Sequence, residues 1–331
     1  MATSRRTITI LAATGLLAVA GVVVAAVLLT GRDPEPPGPG TAVVASDSSK
    51  AADAASRAPA GSPEHDAAHY LSDQPTAVWL TPEADPVDVI GDRIAHLASE
   101  ARAQSARIAV VVYGLPERDC GGQSAGGLDG DAYVEWTQAI GDALRDAADT
   151  SPIVILEPDS LALVPECGNV PERVAQLGAA VDAISSESTW IYVDGGHSDW
   201  LPADDMADLI EQVDRAADDR RSIRGFATNV SNFMPTGDEV AYAHDVAALL
   251  DGLHAVIDTS RNGAGSNGEW CNPPGRLVGE PGGTIGDDVV DTNLWIKPPG
   301  ESDGECNGGP AAGRWWDEAA IGLTQDVVVS D

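Results

Sequence analysis

Lysine is nearly absent from this chain. Only Lys50 and Lys297 occur in 331 residues, and 19 basic residues face 52 acidic ones, for a formal charge of −33. A surface this negative repels nucleic acid and anionic membrane, which excludes functions built on phosphate neutralisation. It suits a neutral partner and a soluble, monomeric particle. Several motifs are missing too. There is no Gly-x-Ser-x-Gly for a serine nucleophile, and no Gly-rich phosphate loop opens a helix; Gly263–Gly268 reads as a flexible loop. The four cysteines include no Cys-x-x-Cys pair, His197 and His244 lack a partner at metal-ligand spacing, and Asp303-Gly-Glu305 lacks the Asp-x-Asp-x-Asp-Gly of a calcium hand. No metal and no cofactor is expected.

Arg5 and Arg6 precede an uncharged run from Thr7 to Gly31, which marks export. Residues 1–31 are therefore read as a cleaved signal or a retained anchor, with Val43-Val44-Ala45 a weak cleavage candidate. Both readings place the remainder outside the cytoplasm, secreted or held on the outer face of the membrane. Residues 32–72, rich in Pro, Ala, Ser and Asp, read as a linker that cannot build a core. An even cysteine count in an exported chain favours disulfides. Of three connectivities, Cys120–Cys167 and Cys271–Cys306 each close one local stretch. A loop of the first size contributes about 4 kcal/mol in the chain-entropy model.

Over residues 73–331 β-rich runs alternate with helical spacing. The runs lie at 77–80, 107–113, 153–157, 190–194, 225–230, 255–259 and 293–297, several continuously apolar as in strands buried on both faces. Between them, sets such as Ile90, Ile94, Leu97 and Ala101, or Val174, Leu177, Val181 and Ile184, form one apolar stripe each. Repeated strand and helix demand parallel strands with right-handed crossovers. About seven units predict an α/β fold, a distorted β/α barrel like the eight-unit barrel; an open doubly wound sheet is the alternative.

In such a barrel the chemistry lies after the strands. There the chain reads Tyr113-Gly-Leu-Pro-Glu-Arg118-Asp119-Cys120, Glu157-Pro-Asp159-Ser160, Asp194-Gly-Gly-His197-Ser-Asp-Trp200, Thr228-Asn229-Val-Ser-Asn232, Asp258-Thr-Ser-Arg261 and Lys297-Pro-Pro-Gly-Glu301-Ser-Asp303. Acids at five of seven strand ends raise one another's pKa, so folding alone does not favour them together. A site needing one protonated and one ionised carboxyl does, and glycoside hydrolysis has that requirement. Trp136, Trp190 and Trp295 read as core. Trp200 and Trp270, among Gly, His, Asp and Cys, read as loop platforms for sugar rings.

These motifs, with Trp270-Cys271-Asn272 and Trp295-Ile-Lys297, resemble glycoside hydrolase family 6, the cellulases, over roughly residues 74–330. The resemblance implies a barrel of fewer than eight strands, hydrolysis of β-1,4-glucan with inversion, no cofactor, and the local disulfide pairing. Carried over, Asp159 is the general acid. Asp119 raises its pKa and helps organise the water, Asp194 supports it, and Asp303 takes the position of the proposed general base. Tyr113 crowds the sugar at the cleavage point. Arg118, Lys297, Trp79, Ser124, His197, Trp200, Asn229, Asn232, Trp270 and Glu301 are the expected substrate-binding residues. Only a short Gly- and Pro-rich stretch separates Lys297 from Trp315, which implies an open cleft and endo cleavage; the alternative is an exo-acting cellobiohydrolase. A non-catalytic glucan-binding protein on this scaffold is the reading of another class.

Overall fold

A computed structural model describes residues 34–218 and 222–327. Residues 1–31, read as signal or anchor, lie outside the described residues, and no helix among those described is long and apolar enough to cross a membrane.

Seven parallel strands form one sheet in chain order: β1 (Val78–Leu80), β2 (Ala109–Val112), β3 (Ile153–Leu156), β4 (Trp190–Asp194), β5 (Gly225–Thr228), β6 (His254–Asp258) and β7 (Val290–Leu294). The order never reverses, so there is no switch point and the doubly wound alternative is excluded. The sheet curls until its first and last strands approach. There the Ala77 N–H donates to the Trp295 carbonyl at 2.8 Å and the Trp79 indole to the Ile296 carbonyl at 2.9 Å, in place of a full ladder. Gly225 is required where β5 meets β6, since a Cβ there would lie 1.6 Å from the His254 carbonyl oxygen. The last strand begins three residues earlier than the apolar run at 293–297 predicts. Its polar residues are paid in hydrogen bonds: Asn293, fully buried, accepts from Thr284 N–H and Ile285 N–H.

Alternation along the strands makes two cores. Val111, Ile155, Tyr192, Ala227 and Val256 fill the barrel interior, while Val110, Val112, Val154, Leu156, Ile191 and Val193 face the helices. The covering helices α3 (Val87–Gln104), α4 (Gly130–Asp146), α6 (Val170–Ile184), α7 (Ala203–Ala216) and α8 (Thr236–Ala247) bury the apolar stripes read from the sequence. α5 (Val164–Cys167) is a single turn, and α9 (Asp317–Thr324) is the last helix among the described residues.

The expected linker over 32–72 is instead largely part of the domain, whose compact unit begins at Pro36. Val44 N–H donates to the Arg107 carbonyl, and Arg107 N–H to the Ala42 carbonyl, a parallel bridge beside the start of β2. Two helices follow, α1 (Lys50–Arg57) and α2 (Pro63–Ser72), with Ser49 and Ser62 capping their N-termini and Pro63 opening α2. Their small apolar faces, Ala51, Ala67 and Leu71, pack on Trp295 and Ala320. The composition could not reveal this, because the apolar partner is supplied by residues about 250 positions away.

Candidate active site

The disulfides Cys120–Cys167 and Cys271–Cys306 are formed, and each ties a strand-end loop that carries an aspartate. Asp119 adjoins Cys120; Asp303 lies three residues before Cys306. Both loops open into one cleft.

The cleft has two lobes sharing Trp79, Tyr113, Gln123, Ser124 and Lys297. The smaller, of about 480 Å³, is lined by Asp119, Asp159, Asp303, His197, Trp200, Asn232 and Trp270. The larger, of about 820 Å³, runs past Arg118 and Glu301 to α1 and Trp315.

Asp159 follows β3 with φ of 67°, a left-handed conformation that a non-glycine residue adopts at a cost and that recurs at functional sites. Its backbone N–H donates to Asp194 Oδ2 at 2.8 Å. Burial, the Asp119 charge and the Asp303 charge raise its carboxyl to about 7, against the pull of Lys297. Asp194, 1% exposed at the end of β4, also accepts from Gly196 N–H, and its other oxygen has no hydrogen-bond partner. Burial and the Asp159 charge push its carboxyl well above the usual range. Asp119 accepts from Ser124 N–H at 2.7 Å and closes over Gly122, where a Cβ would meet the carboxylate at 2.6 Å.

Asp303 is differently placed. Arg261 Nη1 donates to both its oxygens, at 2.9 and 3.0 Å, Asn272 N–H donates at 3.0 Å, and Lys297 Nζ lies at 3.6 Å. Two cations and an N–H donor thus surround its carboxylate. Lys297 is 8% exposed, and burial lowers its pKa.

The acids counted at five strand ends therefore divide. Glu157 accepts from Gly114 and Leu115 N–H groups and the Tyr133 hydroxyl. Asp258 accepts from the N–H groups of Ser231, Ser260, Ile296 and Lys297. Both staple one strand-end loop to the next, a role the sequence reading missed; a buried acid directly ending an apolar strand was its available signal. Burial still holds Glu157 at about 7.

Two of the expected sugar-binding residues have their polar atoms engaged within the protein. Arg118 donates to the Ser124 and Tyr113 carbonyls and pairs with Glu83 at 3.0 Å, its guanidinium lying 4.8 Å from the Tyr113 ring centre. Asn229, fully buried with φ of 64°, donates to the Asp258 and Met234 carbonyls and accepts from Met234 N–H. Their polar atoms are spent on the chain because these loops have no regular ladder to satisfy them. The aromatic walls are as expected. Trp79 meets Tyr113 edge to face at 5.1 Å, His197 lies tilted against Trp200 at 5.4 Å, and Trp270 is 60% exposed on the rim. Burial lowers the His197 pKa. His244, without a partner in sequence, meets Asp287 at 2.9 Å on the far surface.

A model of glycosyl hydrolases family 6 matches residues 40–327. Endoglucanase A of Cellulomonas fimi is 40% identical over 253 residues, 76% of this chain and 54% of that protein. Endoglucanase A of Thermobispora bispora is 41% identical over 240 residues, 70% of this chain and 51% of that protein. The chain thus spans about half the length of these relatives. Among solved structures, the endoglucanase Cel6 of Mycobacterium tuberculosis, in complex with a methyl-cellobiosyl-4-deoxy-4-thio-β-D-cellobioside, superposes with a TM-score of 0.77 at 36% identity, covering 86% of this chain and 96% of that one. The fold, the strand-end motifs and these similarities agree: the chain belongs to glycosyl hydrolases family 6.

Proposed function

We propose that the protein is an extracellular endo-β-1,4-glucanase that cleaves with inversion, Asp159 being the general acid. The observation that carries this is a carboxyl held at about 7, so still about half protonated at neutral pH, facing a cleft walled by Trp79, Trp200 and Trp270. Asp159 gives its proton to the leaving glycosidic oxygen as the bond to the anomeric carbon breaks. Water attacks that carbon from the opposite face, and its proton passes to a carboxylate. Asp303 is the proposed recipient. Asp119, which lines the same lobe, shares the work of orienting the water. Asp194 holds the Asp159 backbone, and Tyr113, braced by Arg118 and Trp79, crowds the ring undergoing cleavage.

Endo cleavage is supported by the exposed Trp270 rim, by the short stretch between Lys297 and Trp315, and by the names of the relatives. The two disulfides support an oxidising, extracellular setting. The charge of −33 opposes self-association and supports a monomer. Residues 1–31 are proposed as the export segment or anchor.

Mixing the protein with carboxymethylcellulose tests this directly. Viscosity should fall well before much reducing sugar appears, and NMR should show the α-anomer as first product. Slow viscosity loss with steady cellobiose release would mean exo action; a β-anomer would refute inversion; binding without turnover would make the protein a non-catalytic glucan binder.

A further inference from the structure

The larger cleft lobe is walled on one side by α1, and Lys50, the first residue of that helix, lines it. Lys50 Nζ donates to Glu301 Oε2 at 2.9 Å and to the Gly313 carbonyl at 2.6 Å. These two acceptors belong to the two arms of one loop. Glu301 bridges Trp315 antiparallel, Ser302 N–H donates to the Arg314 carbonyl at 2.9 Å, and Gly313 N–H donates to the Ser302 carbonyl at 2.8 Å. Asp303 lies on the same loop. One ammonium therefore joins both arms to the N-terminal helix.

The placement is selective. The chain has two lysines, and both line this lobe. The Lys50 side chain is 52% exposed, while Glu301 is 11% exposed. A half-exposed pair contributes at most about 1 kcal/mol to stability, so anchoring α1 is a weak reason for it. A carboxylate held at a fixed angle beside Trp79 and Trp315 is better suited to a polyhydroxylated ring, whose C–H face stacks on indole and whose hydroxyls donate to carboxylate.

We propose that Lys50 is a positioning residue for glucan binding. It holds Glu301 toward the hydroxyls of sugar units lying in the larger lobe and braces the loop that carries Asp303. The inference rests on the β-glucan reading above and extends it: α1, a linker by composition, becomes a wall of the substrate cleft and makes affinity depend on chain length.

Lys50→Met keeps the aliphatic stem and removes the charge; Lys50→Arg keeps the charge. kcat and KM are measured for both, with the wild type, on cellooligosaccharides from cellotriose to cellohexaose. Lys50→Met should raise KM for cellohexaose by about three- to fivefold, the equivalent of losing up to about 1 kcal/mol. The rise should shrink as the oligosaccharide shortens, kcat should move less than KM, and Lys50→Arg should recover most of the loss. KM values equal to the wild type's, a change independent of chain length, or a loss that follows a lowered melting temperature would overturn the proposal. A wild type inactive on every member would refute the β-glucan reading and this inference with it. An active wild type indistinguishable from Lys50→Met refutes this inference alone.

Discussion

Asp159→Asn should abolish hydrolysis and, at alkaline pH, stabilise the fold. Asparagine is the suitable replacement because φ at this position is 67°, a region that asparagine tolerates better than alanine. Losing a positioned proton donor costs about 10²–10⁴ in rate. The stability effect follows from linkage. With a folded pKa of about 7 against 3.8, the native state keeps a proton between those values that the unfolded chain has released. Stability therefore falls as pH rises from about 3.8 to about 7 and stays low above. A shift of about three units sets a ceiling of about 4 kcal/mol. Neutralising Asp159 should recover part of that ceiling, on the order of 1–2 kcal/mol. Turnover on carboxymethylcellulose and thermal unfolding at pH 5 and pH 8 measure both effects. In the wild type, about 90% of Asp159 is protonated at pH 6 and about 10% at pH 8, so kcat/KM should drop nearly tenfold across that interval. A variant retaining more than about a tenth of wild-type activity, or one less stable than wild type at pH 8, would refute the assignment.

Asp119→Asn removes the largest charge repulsion on Asp159, so the alkaline limb of its pH–rate profile should move to lower pH; an unmoved limb contradicts the coupling. Asp303→Ala leaves Arg261, 3% exposed, without its carboxylate; denaturant unfolding should show a loss of about 3 kcal/mol alongside lost activity. Replacing Cys120 and Cys167 by alanine opens a loop of sequence separation 47, and unfolding should show a loss of about 4 kcal/mol.

The strands were legible because each is a short apolar run buried on both faces, and the covering helices because each buries one stripe. Chemistry at the strand ends was legible from residue type: Asp119, Asp159 and Asp303 lie where parallel strands deliver them, and the tryptophans beside Gly and Cys are on the cleft wall. Proximity in sequence was enough for the disulfides too, since each joins the loops that follow two neighbouring strands.

What only the tertiary structure decided is which polar groups are free. Arg118, Asn229, Glu157 and Asp258 have the same chemistry as site residues, yet their atoms are spent on backbone groups that the loops leave unpaired. Residue type does not reveal that, because hydrogen-bond satisfaction is set by neighbours from other strands. Likewise α1 and α2 have too little apolar surface to read as folded and become so against Trp295 and Ala320. The sequence by itself determined the barrel and the aspartates at its mouth. Packing between distant segments decided which of those acids face the cleft, the raised pKa of Asp159, and the N-terminal wall that brings Lys50 to Glu301.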